Sequence, residues 1–170
     1  GTDRRMQRIG TAHDVLVIDD YGHHPTEIQA VLSTTRDAWD RRTIVCFQPH
    51  RYSRSQLLME DFGQAFYQAD SVFVLPIYAA GEDPIRNVTS DALVTSIVKH
   101  GHKDVHTVDD LEQATEVLSK IVKPGDLVLT LGAGDVWKVA RDLAKRLSDG
   151  SIRIGPDSTE SPAKASVKGV

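Results

Sequence analysis

The chain has 170 residues, of which 40% are apolar and 26% charged, and a formal net charge of −4. That length supports one domain with a core of its own, and the negative balance argues against nucleic acid or an anionic membrane as the main partner. A single cysteine, Cys46, excludes an internal disulfide; it sits in an apolar run without an adjoining base and reads as an inert buried thiol. No apolar stretch approaches the ~20 residues of a membrane span and no secretory leader is visible, which favours a cytoplasmic setting.

Residues 1–13, polar and basic at Arg4, Arg5 and Arg8, read as a connector into the domain. Val15-Leu16-Val17-Ile18 follows, a continuous apolar run too short for a helix and suited to a strand buried on both faces. Pro25 fits a first helical turn, and Ile28, Val31, Leu32 and Trp39 then fall on one helical face. A second strand run is Thr43 to Phe47, followed by a helix starting near Ser53 or Ser55 with Leu58, Phe62, Ala65 and Phe66 inward. Ser71 to Leu75 is the third run. Ser90 opens a helix through Leu93, Ile97 and Val98, Asp104 to Val108 is a weaker strand, and Asp109 or Asp110 caps a helix over Leu111 to Ile121. Leu127 to Leu131 is the last strand, and a helix runs from about Asp135 to Leu147. Strands alternating with helices predict an α/β fold: a Rossmann-like, open, mostly parallel sheet with helices on both faces, in one domain over 14–147. Residues 148–170, rich in Ser, Pro, Gly and Lys, read as a flexible tail.

Ligands of such sheets bind beyond the carboxyl ends of the strands, and four polar clusters follow strand runs here. Asp19-Asp20-Tyr21-Gly22-His23-His24-Pro25 crowds ionisable groups at a buried strand tip, which is costly unless they hydrogen-bond or meet a ligand. Gly22 is expected to supply an unusual backbone angle. Zinc is a poor fit, because adjacent histidines seldom chelate one ion and nothing completes a ligand set; a structural loop that caps the helix is the alternative. In Gln48-Pro49-His50-Arg51-Tyr52-Ser53-Arg54, one helical turn separates Arg51 from Arg54, so two guanidinium forks would face a carboxylate or phosphate; solvated surface arginines are the bland alternative. Tyr78 to Ile85 carries Glu82 and Asp83, either of which could hold an ammonium, though an ordinary turn explains the same residues. Gly132-Ala133-Gly134-Asp135 would let backbone amides approach a small ligand, or simply turn the chain with Asp135 as helix cap. No G-x-x-x-x-G-K-[ST] occurs, so the chain has no P-loop phosphate cradle of its own.

Taken together, Asp19 to Glu27 and Phe47 to Arg54 resemble the C-terminal domain of the Mur ligases, with support from Arg4-Arg5-Met6, Tyr78 to Ile85 and Gly132 to Asp135. The resemblance covers Arg4 to Leu147. It is nearest the members that join L-alanine to UDP-N-acetylmuramate; members that attach a ready-made peptide to recycled muramic acid share a His-His-Pro turn but not the Phe47–Arg54 segment. It implies two further domains in the parent chain, one binding the UDP-sugar and a central one carrying the P-loop, with ATP and Mg²⁺ activating the substrate carboxylate as an acyl phosphate. It also implies that the chain alone is inactive and binds neither cofactor firmly.

Residue roles follow from the same resemblance. Arg5 would reach the nucleotide phosphates and Asp20 the nucleotide, with Tyr21 and His23 at the junction of nucleotide and amino acid. His50, Arg51 and Arg54 would hold the alanine carboxylate and the charged intermediate. Gly132, Gly134 and Asp135 would shape the amino-acid pocket. Asp20, His23 and Arg51 are the catalytic candidates, and no metal ligand is expected. Met6 stands where phenylalanine is common in the family. Outside the resemblance, a free-standing Rossmann-like module that binds an anionic metabolite or nucleotide is the competing expectation.

Overall fold

A computed structural model describes residues 4–154. Six strands form one sheet in the order β1-β2-β6-β3-β4-β5: β1 Gln7–Ala12, β2 Val15–Asp20, β3 Arg42–Phe47, β4 Ser71–Val74, β5 Val105–Thr107 and β6 Asp126–Leu131. All neighbouring pairs are parallel except β1 with β2. The helices are α1 Pro25–Ala38, α2 Tyr52–Leu57, α3 Met59–Gly63, α4 Ser90–Lys99, α5 Leu111–Ile121 and α6 Trp137–Ser148.

Parity along the strands assigns the two faces. Leu16, Ile18, Val45, Phe47, Leu127 and Leu129 pack with Ile28, Leu32, Phe62 and Phe66 on one side. Val15, Val17, Ile44, Cys46 and Val128 pack with Ala114, Leu118, Val139 and Leu143 on the other. Each fully buried large side chain contributes about 1.5–3 kcal/mol, and both faces are covered, which is why these strands read as unbroken apolar runs. Burial pushes the Cys46 thiol up to about 12, so it is inert, as its apolar run suggests.

The helix faces follow from connection order. From β2 the chain steps toward β5, then returns from that edge to insert β6 between β2 and β3. Right-handed crossovers put helices on opposite faces when the direction of travel reverses. Accordingly α1 and α4 contribute to the first core, α5 and α6 to the second. At the carboxyl edge Asp20, Leu131, Phe47 and Val74 are in register, so the loops after β2, β6, β3 and β4 emerge side by side.

Three local features differ from the sequence expectations. The supposed connector contains β1, an edge strand with no fully buried residue and so without an apolar pattern. The single helix expected from Ser53 is two short ones broken at Leu58, whose backbone (φ −109°, ψ 18°) leaves the helical range. The last helix starts at Trp137 and runs one residue past Leu147. Beyond it Ile152 and Ile154 pack partly against the second core; residues 155–170 of the expected tail lie outside the described residues.

Candidate functional site

The turn after β2 is built by its carboxylates. Asp20 is only 5% exposed; its Oδ1 accepts the Gly22 N–H at 2.7 Å and its Oδ2 the Met6 N–H at 2.7 Å. Gly22 does not take a positive φ, contrary to the sequence expectation. A Cβ there would lie 2.9 Å from Asp20 Oδ1, so glycine serves the close approach of that carboxylate. Glu27 Oε2 accepts the N–H groups of His23 and His24, each at 3.0 Å, closing the start of α1 with Pro25 in its first turn. Partial burial works to raise the Glu27 pKa, but those two amides and the charges of His23 and His24 outweigh it and hold the carboxyl below its ordinary value.

His23 Nδ1 lies 3.0 Å from the Tyr21 carbonyl oxygen. A carbonyl only accepts, so Nδ1 carries the proton, and in the neutral ring Nε2 keeps its lone pair. The His23 ring meets Tyr21 at 5.2 Å and His50, from the turn after β3, at 5.6 Å. The first two polar clusters therefore converge.

His50 is fixed on its other side by Tyr78, whose ring stacks on it at 5.5 Å and 9°, within a parallel bridge between the two residues. Arg54 Nη1 donates to His50 Nδ1 at 3.1 Å. A guanidinium has no lone pair to offer, so Nδ1 accepts and the proton sits on Nε2. Desolvation first, then the charges of His23, Arg54 and Arg51, lower the His50 pKa from its ordinary value.

Arg51 corrects one expectation. It does not share a helical face with Arg54 but precedes α2, with φ 72° and ψ 136°. Its N–H donates to the Tyr78 carbonyl at 2.8 Å, and its carbonyl accepts the Ser55 hydroxyl. The backbone is thus held in a conformation rare for a non-glycine residue, with the side chain exposed. Glu82, a candidate ammonium partner, accepts the N–H and hydroxyl of Ser53 at the start of α2. Those bonds, the hydroxyl's foremost, lower its pKa. Asp83 is exposed nearby.

The glycine loop closes the cleft. Gly132 has φ 146°, and a Cβ there would stand 2.8 Å from the Gln48 carbonyl oxygen; one on Gly134 would meet Gln48 Oε1 at 2.6 Å and the Tyr78 ring at 2.8 Å. Asp135 does not cap α6: the Val136 N–H goes to Gln48 Oε1 at 3.0 Å, while Asp135 pairs with Lys138 at 3.3 Å. Nothing in the sequence gives Gln48 a role; the close approach of the glycine loop does.

Arg5, Met6, Asp20, Tyr21, Gly22 and Glu27 line an adjoining cleft of about 290 Å³ with α1. Tyr21 is 48% exposed there. Arg4, to which the sequence assigned no role beyond the entry segment, pairs with Asp19 at 2.6 Å. Among the described residues no group of three or more His, Cys, Asp or Glu could hold a metal ion, and no helix is long and apolar enough to cross a membrane.

Comparison with known proteins identifies the family and the fold. Residues 4–134 match the Mur ligase, glutamate ligase domain. The chain is 50% identical over 147 residues to a UDP-N-acetylmuramate–L-alanine ligase of Geotalea uraniireducens, covering 86% of this chain and 32% of the relative. It is 53% identical over 148 residues to the protein of the same name in Syntrophobacter fumaroxidans, with 86% and 32% covered. The crystal structure of UDP-N-acetylmuramate–alanine ligase from Thermotoga maritima superposes with a TM-score of 0.69 at 27% identity, over 88% of this chain and 31% of that one. The chain thus spans about a third of the length of the curated relatives it matches.

Proposed function

The chain belongs to the Mur ligase family, and from that premise we propose that it is the C-terminal, amino-acid-binding domain of an ATP-dependent UDP-N-acetylmuramate–L-alanine ligase of peptidoglycan precursor synthesis, working in the cytoplasm. The observation that carries this reading is the meeting of His23, His50 and Tyr78 beside Arg51, Arg54 and the glycine loop, in a chain about half identical to enzymes of that name.

In this reading the upstream two-thirds of the parent protein binds the UDP-sugar and carries the P-loop. Mg²⁺ bound there with ATP supplies charge neutralisation at the phosphates. The described residues of this chain offer no acidic cluster for a metal; its contribution is cationic and positional. Arg5, at the rim of the Asp20–Tyr21 cleft, reaches toward the nucleotide phosphates when the domains close. Tyr21 presents its exposed ring to the nucleotide. Asp20 meets the nucleotide only with lone pairs left over from Gly22 and Met6, so its first task is to hold the turn.

Arg51, Arg54 and the Nε2–H of His50 take the alanine carboxylate, and the same cations balance charge in the tetrahedral intermediate. The glycine loop with Asp135 sets the pocket's depth, since Gly134 has no Cβ to stand against Gln48 and Tyr78. Before the amine can attack it must lose a proton. His23, with Nδ1 tied to Tyr21 and a lone pair on Nε2, accepts that proton. Attack then forms the amide C–N bond and breaks the acyl C–O bond to phosphate, which departs carrying the second amine proton. Excluding water from the acyl phosphate is the reason for a closing domain.

The test is reconstitution. Residues 1–170 alone should turn over no ATP, and fusion behind the upstream domains of a close relative should give alanine-dependent phosphate release. Robust ATPase activity from 1–170, or a fusion that releases phosphate without regard to alanine, would overturn the reading. Tight binding of an anionic metabolite by 1–170 alone would favour a free-standing module instead.

A further inference from the structure

We propose that Arg4 is a positioning residue of the amino-acid site, a clamp that fastens the segment leading into the domain to the glycine loop and the Tyr21 turn; the proposal rests on the reading of that cleft given above. Its guanidinium grips Asp19 with two bonds, Nε to Oδ2 at 2.6 Å and Nη2 to Oδ1 at 3.2 Å. Asp19 is 1% exposed and also accepts the Thr130 hydroxyl at 2.6 Å, so its carboxylate needs a cationic partner.

Neutralising Asp19 accounts for only part of what Arg4 does. The fork also donates to the Gly132 carbonyl at 3.0 Å and, more weakly, to that of Gly134 at 3.4 Å. On the other side the Arg4 carbonyl accepts the Tyr21 N–H at 2.6 Å, and the guanidinium lies 5.5 Å from the centre of the Tyr21 ring. One residue therefore holds both the glycine loop and the turn bearing His23. Five planar donors make this possible; a lysine ammonium would satisfy Asp19 without reproducing the fork.

The neighbouring residues extend the device. Asp19 holds Arg4 by its side chain, and Asp20 holds Met6 by its N–H, so two successive carboxylates pin the residues on either side of Arg5. Arg4 (φ 151°) and Met6 (φ 45°) both lie in backbone regions that disfavour side chains, conformations that persist only where surrounding contacts impose them. Displacement of the chain ahead of Arg4 is thereby transmitted to the loop that shapes the amino-acid pocket, and Arg5 is aimed into the cleft by the same contacts.

Hydrogen–deuterium exchange on residues 1–170 tests the clamp directly. Two variants are needed: Arg4→Lys, which keeps the charge, and the double variant Arg4→Ala/Asp19→Asn, which removes the fork without stranding a buried carboxylate. In both, the amides of Tyr21 and Gly132 should exchange at least about tenfold faster, while those of Val45 and Leu129 in the sheet keep their rates. Unchanged loop amides, or uniform acceleration across the sheet, would overturn the clamp. In the full-length ligase Arg4→Lys should raise the alanine KM at least about tenfold and leave the UDP-sugar KM unchanged. A loosened loop with an unchanged alanine KM would sever the clamp from the site. Failure of the unsubstituted ligase to release phosphate with alanine would overturn the reading of the cleft, and the exchange rates would still decide the clamp.

Discussion

The two turns that meet at His23 and His50 spend their charges in opposite ways. In the turn after β2, Asp19 is taken up by Arg4 and Thr130, Asp20 by two backbone N–H groups, and Glu27 by two more. In the turn after β3, Arg51 is anchored by its backbone alone, and its guanidinium has no partner among the described residues; among the same residues the Arg54 guanidinium hydrogen-bonds only to His50. Acidic groups here build the cleft, and cationic groups are left to work in it. Removing a member of the first set should cost stability, whereas removing one of the second should cost function.

The largest expected effect comes from the first set. Asp20→Ala strands two N–H groups, that of Gly22 buried and that of Met6 part-buried, which now donate to a charged acceptor, each such bond being worth about 1.5–3 kcal/mol. With partial relaxation the loss should be about 3 kcal/mol, read as a lower urea midpoint for residues 1–170 at an unchanged slope. A loss under about 1 kcal/mol would mean that water replaces the carboxylate and that Asp20 is freer for a ligand than its contacts imply.

Arg51→Ala is the counterpart. Its exposed side chain makes no contact that folding needs, so stability should stay within about 0.5 kcal/mol of the parent. In the full-length ligase, kcat/KM for alanine should fall at least about a hundredfold, some 2.7 kcal/mol of lost transition-state stabilisation. If instead both variants lose stability alike and alanine use survives in the second, the division of labour between the turns is wrong.

How much of this was legible in the sequence follows the same division. Runs such as Val15–Ile18 and Leu127–Leu131 announced themselves because parallel strands covered on both faces need apolar residues at every position. β1 did not, since an edge strand packed on one side has no such need. The break at Leu58 escaped because inward residues on either side keep helical spacing through it. In the site, residue types and their place after strands pointed to Arg51 and Arg54, and the family resemblance to His23 and His50; the structure brings His23, His50 and Arg54 together, with Arg51 beside them in the same turn. Their burial, tautomers and partners depend on loops that meet only in the folded chain. Gly22 was identified with the wrong reason, a backbone angle rather than a close carboxylate, and Arg4 without its reach to Gly132, because both contacts join residues that no local pattern relates.

The smallest effect is the sharpest on sign. Glu27 is half-exposed, so its bonds to the His23 and His24 amides should add only a few tenths of a kcal/mol after solvent screening. Its native pKa lies below the ordinary value of 4.5. For a depressed carboxylate the added stability is fully present above the unfolded-state pKa and disappears as pH falls through the native one. The stability gap between the parent chain and Glu27→Gln should therefore be constant from neutral pH down to about 5 and shrink below 4.5. Urea melts of both proteins across that range measure it. A gap that widens on acidification would mean the protonated side chain is the one the turn prefers, and the first turn would then owe its shape to something other than anionic acceptors at the start of α1.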